Sequence, residues 1–196
     1  MKKIFSFVII LTFVNELYSQ NGRFNGWVVS PSVGFVQYQK ESIFKTTAYS
    51  TSAIIGKEFN LQKNLTFITG AKVESLYGNQ NDFSFKNVFI GIPVQIRYYV
   101  SPGNTSSIYV GLGIDNKFKI NEKFENELLG TNFKGENGYH LGGLVELGYK
   151  TKASENTDFL IGINYTGDIL QAGYGDVKNK LLNGINLSIG FEIFKN

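Results

Sequence analysis

The chain of 196 residues contains no cysteine, one histidine, one methionine, one tryptophan and three prolines. Without cysteine there are no disulfides, no thiolate metal site and no thiol to carry a lipid anchor. One histidine with scattered carboxylates falls short of a metal ligand set, so no metal or other cofactor is expected. An excess of one charge is missing as well. The formal charge is +3, and it falls to +2 once Lys2, Lys3 and Glu16 are set aside with residues 1–19. A nearly balanced chain with no basic stripe gives no footprint for nucleic acid. Beyond residue 14 no apolar run approaches the ~20 residues of a membrane-spanning helix.

The first nineteen residues have the layout of a secretory signal peptide. Lys2 and Lys3 precede an apolar run from Ile4 to Val14, and "NELYS" ends on the small residue Ser19. That run is too short to span a bilayer, and export is the expectation it sets. Residues 20–196 then suit one domain or one closed barrel. Their content is rich in glycine (22 in the whole chain) and in Phe (17) and Tyr (11). Such a composition favours many strands joined by turns over a helical fold.

The stretch "NVFIGIPVQIRYYV", residues 87 to 100, shows how the rest is built. Val88, Ile90, Ile92, Val94, Ile96, Tyr98 and Val100 alternate with Asn87, Phe89, Gly91, Pro93, Gln95, Arg97 and Tyr99. Strict alternation over this length is a β-strand with two unlike faces. The same period recurs around residues 27–35, 49–59, 65–76, 107–115, 139–149, 159–168 and 185–193. Connections alternate in length. Those at 61–64, 101–106 and 152–157 are short, while those near 37–47, 77–86, 117–137 and 170–181 are longer. Eight strands in an up-and-down meander with two unlike ends match the pattern of an antiparallel transmembrane β-barrel of the outer membrane.

Glycine indicates which face meets lipid. Gly34, Gly56, Gly70, Gly91, Gly111, Gly113, Gly142, Gly148, Gly162 and Gly190 all fall on the polar face. A water-exposed face would carry Lys, Glu and Thr instead, because glycine weakens a strand and covers nothing. The interior of an eight-stranded barrel, by contrast, is only wide enough for small residues alternating with large ones. The aliphatic face, with aromatics near the strand ends, then turns outward to lipid. A secreted lipocalin-like barrel with the aliphatic face inward around a small apolar ligand is the alternative.

At "GIPVQIRYYV", followed by a short turn and "YVGLGI", the chain resembles the outer-membrane β-barrel domain family of Bacteroidota, which includes PorT-like and OmpX-like small barrels. The last strand, "NLSIGFEIF", fits as well. The specific words cover about residues 88 to 114. The resemblance implies fold and an outer-membrane location, with surrounding lipid and the barrel-assembly machinery as partners. It brings no shared activity and no catalytic residue.

No motif names a reaction, and a non-enzymatic protein is the expectation. Its role would be surface-loop binding or service in an envelope or secretion assembly, with an extracellular or secretion-system protein as partner. The polar face carries Glu58, Lys72, Glu74, Arg97, Asp115, Glu146, Asp168 and Glu192. Of these Glu58, Arg97, Glu146 and Glu192 lie at similar heights above the short-turn ends. Unpaired charge inside a narrow barrel is costly, so a charge network among Glu58, Lys72, Glu74, Arg97, Glu146 and Glu192 is expected to plug the lumen. A gate that admits ions is the sharper reading of the same residues. His140, the lone histidine, has no serine two residues away and no marked partner, so a lipid-modifying enzyme stays the weaker alternative. In the third long connection, Asn121 could cap a short helix with Glu122 and Glu125 early and Gly130 at its stop. Phe118, Phe124, Leu128 and Phe133 there are candidates for binding outside the barrel.

Overall fold

The computed structural model describes residues 26–40, 44–62, 64–80, 83–100, 105–126, 130–134, 138–173 and 179–194. Residues 1–19 and Leu128 lie outside them. The strands in chain order are β1 (Trp27–Lys40), β2 (Phe44–Gln62), β3 (Leu65–Gln80), β4 (Phe83–Tyr99), β5 (Ser106–Asn126), β6 (Thr131–Lys134), β7 (Gly138–Ser154), β8 (Thr157–Gly173) and β9 (Asn179–Ile193). Every pairing is antiparallel, β1 joins β9, and β4 joins β5 to close the sheet. The lower part of β5 pairs with β7 and its upper end with β6. β6 and β7 thus share one place, and the barrel has eight positions.

The ladder climbs steeply. A circuit from Glu58 passes Ile68, Gln95, Gly113, Leu144, Thr166, Gly184 and Val36 and returns to β2 at Ala48. Ala48 is ten residues up the strand from its start. With ~3.3 Å per residue and ~4.8 Å between strands, that stagger tilts eight strands by about 40°.

Burial follows the alternation. On β4, Phe89, Gln95, Arg97 and Tyr99 point into the barrel and are buried, while Ile90, Ile92, Ile96 and Tyr98 point out and are about half exposed. The same holds all round, with Val33, Ile55, Val73, Leu112, Leu147, Ile163 and Ile185 outward. The aliphatic face is therefore the exterior, which overturns the lipocalin-like alternative with its apolar pocket. Exterior aromatics pair across strands near both ends, as Phe35 with Tyr49 (5.1 Å between centroids) and Phe159 with Phe191 (5.6 Å).

Two expectations about the connections are corrected. Apart from the four-residue β6, the strands run from 14 to 21 residues where spans of about 9 to 14 were expected, well beyond the ~9–11 residues that cross a bilayer. Most of the longer connections are strand: Gln37 pairs with Thr47, Gly78 with Phe85, and Gly138 with Gly173. Above the lipid the outward side chains turn polar, so the apolar contrast stops while the backbone ladder continues. Of the helix expected from Asn121, residues 121–126 are likewise strand. One extra residue, Ile120, sits between the pairs Phe89–Lys119 and Val88–Asn121. This bulge exchanges the faces of β5. Asp115, Lys117 and Lys119 point inward below it, and Glu122 points inward above it. Gly130 (φ 59°) lies in the turn into β6, where glycine tolerates the left-handed backbone.

Candidate functional site: a lumen filled in layers

The inward residues sort into layers along the barrel axis. Nearest the termini, Arg97 reaches across from β4. Its Nη2 and Nε donate to Glu146 Oε2 at 2.9 and 3.2 Å, and its Nη1 lies 3.8 Å from Glu58 Oε2. Gln95 Nε2 donates to Glu146 Oε2 at 2.6 Å and Tyr109 Oη to Glu146 Oε1 at 3.0 Å. The guanidinium stacks over the Tyr109 ring, 4.5 Å from its centre. Glu58 accepts hydrogen bonds from Thr66 Oγ1 and from Tyr99 Oη (2.7 Å). Lys150 binds Glu192 and lies 3.5 Å from Asp158.

One layer further out, two lysines and two carboxylates form a ring of alternating sign. Lys72 Nζ is 2.7 Å from Asp115 and 3.3 Å from Glu74. Lys117 Nζ is 2.7 Å from Glu74 and 3.3 Å from Asp115. Each charge touches both opposite charges, which is how a buried pair repays its desolvation. Ser50 donates to Glu74 at 3.2 Å. Beside this ring His140 Nδ1 meets Asp168 Oδ2 at 2.8 Å, and its ring stands near-perpendicular to that of Phe89. Asp168 was expected on this face, and it supplies the histidine with a partner the sequence did not mark.

The outer part of the lumen is an apolar cluster around one buried ion pair, Lys119–Glu122. Val36, Tyr38, Ala48, Leu76, Phe85, Phe89 and Leu181 form one buried cluster with Phe124 packed on it. Tyr38 stacks on Phe85 at 4.6 Å and donates to Glu122 Oε1 at 2.8 Å, and Lys119 also binds Glu122 at 2.7 Å. Glycines make the room for these side chains. A Cβ on Gly148 would overlap the Tyr109 ring, one on Gly111 would overlap the Gln95 amide, and one on Gly162 would sit 2.8 Å from Glu146 Oε1.

The six charges expected in one network occupy two. Arg97 gathers Glu58 and Glu146, Glu192 is held by Lys150, and Lys72 and Glu74 belong to the ring above. Lys117, Lys119, Glu122 and Lys150 were not anticipated as lumen residues. Lys117 and Lys150 lie two residues beyond Asp115 and Gly148 on the same face, so extending the period by one step would have found them. The bulge at Ile120 hides Glu122 from any such extension. Of the binding candidates, Phe118 points out from β5 and packs against Tyr139 at 5.0 Å, whereas Phe124 points in against Phe85 at 6.0 Å. Phe133 is the backbone partner of Phe124.

No family model matches the chain, and no curated protein matches it in sequence. Among solved structures it is similar to Neisserial surface protein A, with 16% identity and a TM-score of 0.54 over 85% of this chain and 96% of that one. Ail, the attachment invasion locus protein of Yersinia pestis, aligns over 88% of this chain and 99% of its own at 10% identity and a TM-score of 0.44. The outer membrane protease OmpT from Escherichia coli aligns over 91% and 100% at 6% identity and 0.39. At these identities the likeness is one of fold, and only the first score carries weight. The chain is a closed, eight-stranded antiparallel transmembrane β-barrel with a filled lumen.

Proposed function

We propose that this chain is a non-enzymatic integral protein of the outer membrane whose plugged barrel is a rigid post for binding at its outer end. The observation that carries this reading is the pairing of a filled lumen with strands up to 21 residues long. Tilted by about 40°, β5 rises about 50 Å along the axis, roughly twice the ~25 Å apolar band of such barrels. Transport needs a path, and here two charged layers and an apolar cluster occupy the interior. Projection of hydrogen-bonded strand beyond lipid instead suits contact with something outside or with an envelope or secretion assembly. The PorT-like resemblance of β4 and β5 supports the second of these partners.

The test is gel mobility of envelope-extracted protein in SDS, boiled against unboiled, with bilayer recording of the same preparation. The expected result is a shift on boiling and no discrete conductance steps. A soluble protein without a shift would remove the membrane reading, and steady conductance would remove the plugged one.

Lipid modification is disfavoured by where His140 sits. The ring is buried, bound to Asp168 and bordered by Phe89, and no hydroxyl contacts it among the described residues. A nucleophile within reach of the base is what acyl transfer needs. His140→Ala should leave the lipid profile of the envelope unchanged by mass spectrometry. Loss of a modified lipid species in that variant would revive the enzyme.

A further inference from the structure

We propose that Lys86 on β4 and Lys123 on β5 bind phosphate groups of the outer-leaflet glycolipid at the outer edge of the apolar band. The proposal rests on the outer-membrane reading above. Lys86 and Lys123 are direct cross-strand partners, and the register places Lys134 of β6 opposite Lys123 in the same row. Both Lys86 and Lys123 are exposed and point away from the lumen. Like charges directly opposite one another destabilise a sheet. The described ion pairs lie within the lumen or at its terminal end, and neither lysine enters one. Glu125, two residues beyond Lys123 on the same face, is the acidic neighbour, opposite Ser84 and Asn132. It leaves the row cationic.

The row's position identifies the anion. Followed the other way it runs from Lys86 to Tyr77, Tyr49 and Phe35. Those are exposed aromatics of the kind that mark the edge of the hydrocarbon. Two residues below Lys86 comes Val88, then exposed Ile90, and below Lys123 come Asn121 at the bulge and then the exposed Ile120 and Phe118. The two ammonium groups thus stand one pleat above the apolar band, at headgroup depth. Two lysines whose Cβ atoms stand about 5 Å apart there, flanked by amphipathic rings, fit a phosphate carried on a lipid.

The full barrel is folded into mixed micelles with equal amounts of phosphorylated and dephosphorylated lipid A, and retained lipid is measured by native mass spectrometry. The wild type should retain the phosphorylated form about tenfold more than the dephosphorylated one, and K86Q/K123Q should lose that preference. Equal retention of the two lipids by the wild type, or an undiminished preference in the variant, overturns the proposal. Displacement of the lipid by millimolar inorganic phosphate overturns its lipid source and makes the lysines a free-anion site. Cold-SDS mobility of the same samples separates the two readings. A folded wild type with no lipid preference sinks the lysine site alone, and a wild type that never resists cold SDS sinks the membrane barrel with it.

Discussion

Arg97→Ala should destabilise the folded barrel by about 3–5 kcal/mol, the cost of stripping a buried pair of one partner, and should leave it closed to ions. Arg97 is almost wholly buried between Glu146 and Glu58. Without it the two carboxylates lose their shared cation where water cannot replace it. Trp27, the only tryptophan, lies on the lipid-facing side near the termini and reports unfolding by its emission in a urea titration from vesicles. Arg97→Lys should recover only part of the loss, because an ammonium lacks the fork on Glu146 and the flat face on Tyr109. Adding Glu146→Gln to Arg97→Ala should recover more, since it removes one of the stranded charges.

The barrel should stay closed because Arg97 is one layer of three. The ring of Lys72, Glu74, Asp115 and Lys117 and the cluster around Phe85 remain above it. Discrete conductance steps in Arg97→Ala would make the residue a gate, the sharper of the two roles its sequence position allows.

How far the sequence could be read depends on what surrounded each residue. Between the lipid edges every strand contrasts hydrocarbon with packed polar lumen, and residues 87–100 display that contrast in nearly every pair. Eight strands, the outward aliphatic face and an inward Arg97 at the height of several carboxylates were therefore legible. Beyond the lipid both faces turn mixed, and strand was read as connection: Tyr38 and Lys119 looked like loop residues though both are buried. The bulge at Ile120 breaks the two-residue period, and beyond it Asn121 as a cap with Phe124 and Leu128 four apart is a spacing that also suits a helix. Which carboxylate Arg97 would choose was not legible, since it depends on a stagger of ten residues built up over the whole circuit.

Phe89 and Ile90 are neighbours on β4 facing opposite ways, and truncating each decides which side of this sheet is the packed one. Phe89 is buried at the junction of the lumen's apolar cluster and its charged ring, with Lys117 Nζ 5.2 Å from its ring centre and the His140 ring centre at 5.3 Å, the two rings near-perpendicular. Phe89→Ala should cost about 3–5 kcal/mol, a transfer term plus a cavity that the rigid barrel wall cannot collapse. It also takes the ring from beneath a buried ammonium. Ile90→Ala should cost about 2 kcal/mol, three carbons at roughly 0.8 each, with no cavity because lipid chains close over the gap. Phe89→Leu, which keeps most of the volume, should cost under about 1.5 kcal/mol. The reverse order, with Ile90→Ala severe and Phe89→Ala near neutral, would require the aliphatic face to be the core. That would turn the barrel inside out, and with it every assignment of lumen and lipid made from the alternation of "NVFIGIPVQIRYYV".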